Sequence, residues 1–159
     1  MSSILNTIEF LCLSLWLGSD VFLSFVVAPG AFGILASRDA AGAIVGYSLT
    51  RMHLGGIALG LVLLLARLLQ TQTFASLAKP AALCVVLMIA LTAISQYTVS
   101  SRMAALRAQM GSIQATAGDS PLLAEFSRLH SISVTLESGV LLAGFAAMFL
   151  MVRELASSH

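Results

Sequence analysis

The chain has 159 residues, of which 58% are hydrophobic and 9% charged, with a formal net charge of +1. Soluble domains carry about 25% charged residues, so this chain has too little polar surface to meet water on every side. Seven of its eight basic residues are arginine, with Lys79 alone, and they form no basic stripe of the kind that neutralises phosphates, which excludes a nucleic-acid partner. Cys12 and Cys84 lie inside apolar stretches without ligand spacing and read as small hydrophobes.

Four apolar segments follow one another. The first runs from Ile4 to Val27 and meets Ala28-Pro29-Gly30, a helix stop. Its N-terminus lacks a positive region, and the apolar run passes Ala28 without a small-residue cleavage site, so a retained helix is expected. The second spans Ala43 to Leu69 and carries Arg51 and His53 in its first half. The third, Pro80 to Ser101, has no charge, and Pro80 suits a first helical turn. The fourth runs from Leu129 to Val152 with Glu137 as its only formal charge; Asp119 or Ser120 before Pro121 is a candidate N-cap, which moves the helix start back to Pro121.

Each segment reaches the roughly 20 residues needed to cross the hydrocarbon core, and none alternates as a barrel strand does. The expectation is an all-α integral membrane protein, a single up-down four-transmembrane-helix bundle with helices at 4–28, 43–69, 80–110 and 121–155. The environment is the lipid bilayer of a cell (inner) membrane, crossed several times. Arg38, Arg51, Arg102, Arg107 and Arg128 lie on one side, against Arg67, Lys79 and Arg153 on the other. That balance puts both termini on the non-cytoplasmic side. Gly42-x-x-x-Gly46, Gly56-x-x-x-Gly60 and Gly139-x-x-x-Ala143 have the spacing of close helix contacts.

Ionisable groups facing lipid cost roughly 2.5–3.5 kcal/mol each on insertion scales, so those within the segments are expected to face inward. Asp20, His53, Gln96, Arg102 and His130 fall at similar depth in one half of an up-down bundle. The other half shows little beyond Glu9 and reads as packing. His53, Gly56 and Gly60 share a helical face, leaving a slot beside the imidazole for something flat. His130, Val134 and Glu137 share another, and Trp16, Asp20 and Ser24 a third. Two histidines on non-adjacent helices are an arrangement that holds a haem iron axially or a metal ion. His53 and His130 are therefore the candidate ligands of haem b, or of copper or another transition metal, with Gly56 and Gly60 beside them. Asp20, Gln96, Arg102 and Glu137 would surround them as hydrogen-bonding groups. Met52, Met103 and Met110 lie near the same layer and suit soft copper or plain packing. Asp20 and Arg102 could equally form an ion pair, and Glu137 could belong to a proton path.

The string Trp16-Leu17-Gly18-Ser19-Asp20-Val21-Phe22 with Val26-Val27-Ala28-Pro29 resembles the first helix of the transmembrane protein 205-like family. Leu49-Thr50-Arg51-Met52-His53 and Phe126-Ser127-Arg128-Leu129-His130-Ser131-Ile132-Ser133 are similar to its second and fourth helices. The resemblance implies the four-helix fold and both histidine positions, and no activity. Glu137 or its neighbours stand where an Asn would follow the second histidine motif, and Ser100-Ser101-Arg102 replaces an acidic-Pro-Arg pattern. A more distant likeness, in helix pattern and intramembrane histidines, is to copper-resistance protein D domains and the haem-binding protoporphyrinogen oxidases of bacteria. Three functions stay open on the residues: a haem or metal protein for redox work, a non-catalytic subunit packed on other membrane subunits or its own copies, and a small proton-coupled transporter using Glu137 and His130. No nucleophile constellation or phosphate loop points to a soluble-type enzyme.

Overall fold

The computed structural model describes residues 2–157, and its four long helices are α1 (Ser3–Ile34), α2 (Arg38–Thr71), α3 (Pro80–Met110) and α4 (Pro121–Ala156). Each is long and apolar enough to cross a membrane, and the described residues hold no strand. At 1.5 Å per residue the shortest rises about 46 Å, against a hydrocarbon core of about 30 Å, so the helix ends project beyond it.

Local chemistry sets the boundaries. Ser37 caps α2, its Oγ accepting from the Ala40 amide at 3.2 Å, and Gln72 ends it in the left-handed region at φ 55°. Pro80 and Pro121 occupy first-turn positions, where the missing N–H costs nothing. Ser120 holds the cap position of α4 without a side-chain bond. The stop expected at Pro29 does not occur. A π-helical turn at Leu23–Val27 precedes it, with the Ala28 amide reaching back to Leu23 O, and the helix continues to Ile34. The wider turn absorbs the proline without ending the helix. A second π-helical stretch, Ser95–Ser100, interrupts α3.

The helices pack in cyclic order. α1 lies on α2, α2 on α3, α3 on α4, and α4 closes on α1; the diagonal pairs do not pack backbone to backbone. The centre is filled by Leu13, Trp16, Leu63, Val85, Met88 and Val140. Phe25, Phe145, Phe149 and Leu142 point outward, an apolar exterior suited to lipid tails.

Among the small-residue motifs, Gly56 and Gly60 admit an aromatic ring. A Cβ on Gly56 would fall 2.2 Å from Trp16 Nε1, and one on Gly60 2.7 Å from Trp16 Cζ3. The indole of α1 thus lies flat on a glycine shelf of α2. Gly42 makes room for a side chain too, since its Cβ would meet Arg107 Nη2 at 2.8 Å. Gly56→Ala is expected to lower stability by about 1–3 kcal/mol through overpacking, read as a depressed melting temperature in detergent. Gly18→Ala, with nothing within 4 Å of its Cβ, is expected to leave the melt unchanged.

Candidate functional site

His53 is completely buried, and both of its ring nitrogens are engaged. Nδ1 lies 2.9 Å from Gln96 Oε1 on α3, an acceptor, so Nδ1 carries a hydrogen. Nε2 lies 2.5 Å from Glu137 Oε1 on α4, across the bundle diagonal. Ser95 Oγ donates to the same carboxyl oxygen at 3.3 Å. Adjacent residues on a regular helix diverge by about 100°. Ser95 and Gln96, the first two residues of the π-helical turn, both serve the cluster. Asp20 of α1, also buried, accepts from Ser24 Oγ at 3.3 Å and lies within electrostatic range of His53 and Glu137.

Asp20, His53, Gln96 and Glu137 each sit within about two residues of the midpoint of their helix, in terms of the helix bounds. The polar layer therefore crosses the middle of the bundle, deeper than the one-sided layer expected from the sequence. Of the six buried polar atoms without a partner among the described residues, four lie in this layer or one turn from it: Trp16 Nε1, Asp20 Oδ2, Thr92 Oγ1 and Glu137 Oε2. Thr92 lies one turn before Gln96, and Trp16 one turn before Asp20. An unmet buried polar group costs about 1–3 kcal/mol, and concentrating several in one layer is a mark of function.

His130 is exposed on α4, away from His53, so the structure does not bring the two histidines face to face. The slot above His53, beside Gly56 and Gly60, is occupied by Trp16. Arg102 turns away from Asp20 and bonds Glu125 Oε1 at 2.8 Å, an exposed pair. Among the described residues no group of three or more His, Cys, Asp or Glu is placed to hold a metal ion.

The far half of the bundle is not the plain packing expected of it. Arg67 of α2 is buried there and donates from Nε and Nη2 to Glu9 Oε2 of α1, both at 3.0 Å. Its Nη2 also lies 3.1 Å from Glu154 Oε2 of α4. Sequence reasoning missed this triad because each member lies near a helix end and reads as an interfacial charge. The signal was present: in an up-down bundle, Glu9, Arg67 and Glu154 share one depth.

Fold and cluster together define a multi-pass membrane bundle with a hydrogen-bonded, protonatable centre. The chain belongs to the family described as a domain of unknown function (DUF4149), whose pattern covers residues 11–112. That stretch holds Asp20, His53 and Gln96 and leaves α4, with Glu137, outside. No curated protein and no solved structure matches the chain.

Glu137→Ala is expected to cost more stability than Arg102→Ala. The first leaves a buried imidazole nitrogen unpaired, at about 1–3 kcal/mol. The second removes an exposed pair worth about 0–1 kcal/mol. Paired melts of the two variants measure the difference, and equal losses would remove His53–Glu137 as a structural tie.

Proposed function

We propose that this chain is a proton-handling membrane protein, a small proton-coupled carrier, in which His53, Glu137 and Asp20 take up and release protons within the bilayer. The observation that carries the reading is the His53–Glu137 hydrogen bond across the bundle, with Asp20 beside it. With Nδ1–H donating to Gln96, one proton lies between Nε2 and the Glu137 carboxyl. On Glu137 it leaves two neutral groups; on Nε2 it leaves imidazolium and carboxylate. Both states carry the same net charge, so the proton moves without placing an unpaired charge in the low-dielectric interior. Asp20 supplies a second acceptor.

Coupling requires that the cluster be reached from one side at a time. Both π-helical turns, Leu23–Val27 just beyond Asp20 and Ser95–Ser100 starting within the cluster, extend from it toward the connections at 35–37 and 111–120. Such turns loosen the regular hydrogen-bond ladder and recur at functional positions, which suits them as the points where that side opens. On the other side, Leu13, Trp16, Leu63 and Met88 form a dry plug. The likeness to transmembrane protein 205-like proteins assigns no activity, so the reading rests on this geometry.

Infrared difference spectroscopy of the protein in lipid, taken across a pH titration, reads carboxyl protonation without knowledge of the cargo. A protonated-carboxyl band is expected to appear and vanish with pH, to lose a component in Glu137→Gln and another in Asp20→Asn, and to persist in His130→Ala. A folded protein with no titrating carboxyl band would overturn the proposal. A Soret band or stoichiometric copper, lost in both His53→Ala and His130→Ala, would replace it with the haem or metal reading. Stoichiometric co-purification of other membrane subunits, with no titrating band, would replace it with the accessory-subunit reading.

A further inference from the structure

The Arg67 end of the bundle holds an open cleft of about 170 Å³ that the central cluster does not use, about the space of five or six water molecules. It lies near the starts of α1 and α3 and the ends of α2 and α4, where helices longer than the hydrocarbon core would meet the lipid headgroups. Its walls are of two kinds. Arg67, Glu9, Glu154 and Lys79 supply charge of both signs, and Phe10 and Met151 supply an apolar side.

The Arg67 side chain is only 8% exposed and has two of its three nitrogens committed to carboxylates. Nη1 is buried without an acceptor. Each carboxylate in turn uses only its Oε2 on Arg67, leaving Oε1. Lys79 is exposed at the rim, and no described acid pairs with it. The four charges cancel, so a ligand of either net sign would unbalance the cleft. A ligand carrying both signs would match it, an anionic group toward Lys79 and the Arg67 guanidinium that lines the cleft, and an ammonium toward the free oxygens of Glu9 and Glu154. The apolar wall and the headgroup depth add a hydrocarbon continuation.

We propose that this cleft binds an amine–phosphate zwitterion, the headgroup of an aminophospholipid, seated between α1, α2 and α4. The site is independent of the proton reading, since none of its residues belongs to the central cluster. A primary ammonium has three donors for the two acids; a trimethylated amine has none and should be refused.

Native mass spectrometry of the full chain, released from vesicles containing equal phosphatidylethanolamine and phosphatidylcholine, tests this directly. Retention of the ethanolamine lipid is expected to exceed that of the choline lipid by about tenfold, the worth of a charge-assisted hydrogen bond. Retention of both lipids is expected to fall in Lys79→Ala, a rim change that leaves the core intact, and in Arg67→Lys, which keeps the charge and loses the guanidinium fork; the ethanolamine preference itself is expected to fall in Glu154→Gln. Unchanged melting of Lys79→Ala secures that comparison if Arg67→Lys unfolds. Displacement of bound lipid by soluble phosphoethanolamine would assign the site to a free zwitterion of the same chemistry, and failure to displace would assign it to the lipid. Equal retention of both lipids by the unaltered chain, or undiminished lipid retention in folded Lys79→Ala, would overturn the proposal.

Discussion

The hydrogen bond between His53 and Glu137 spans a diagonal that no backbone contact closes, and the arrangement of the bundle depends on it. In lipid, apolar side chains gain little by leaving hydrocarbon for one another, so close packing and polar ties must specify which helix faces which. Neighbouring helices do this through small residues and rings, as Trp16 does on Gly56 and Gly60. The diagonal pair α2 and α4 has polar ties instead. His53 reaches Glu137 at mid-depth, and Arg67 reaches Glu154 near the end. Both ties start from α2, which fixes the rotation and height of α4 against it.

The same layer is also where the fold gives up stability. Trp16, Asp20, Thr92 and Glu137 each keep a buried polar atom without a partner. A sequence selected only for packing would replace such atoms with apolar ones, since a half-satisfied polar network is worse than none. Their persistence beside His53 is the physical argument that the layer performs a task. The π-helical turn at Ser95 supports it, because it gives up regular ladder bonds where two consecutive side chains serve one site.

The architecture was legible from composition and run length, because four predominantly apolar stretches of sufficient length admit few other solutions. Among the site residues, Asp20, His53, Gln96 and Glu137 were legible as intramembrane polar groups that must turn inward, and the structure clusters them. The departures at Arg102 and His130 have separate sources. Arg102 follows a π-helical turn, which shifts every later side chain of α3 relative to a regular helix. His130 lies seven residues before Glu137, on the same flank of α4. His53 and Ser95 reach over that flank at Glu137 and nothing covers it at His130, which stays exposed. Periodicity reports the flank and cannot report what reaches across to it. The slot beside His53 was expected to be open to a flat ligand, and the chain's own indole, Trp16, fills it.

Between Glu9 and Asp20, α1 rises about 16 Å past Cys12, Leu13 and Trp16, all buried. No polar side chain bridges the two charged layers along that face. Yet the layers are mechanically joined, because His53 and Arg67 lie fourteen residues apart on α2, about 40° from the same helical face. A rigid turn of α2 that drew His53 from Glu137 would also drag Arg67 across Glu9 and Glu154. Displacement at the centre and at the far end would then be one motion, carried by the rigid helix between them.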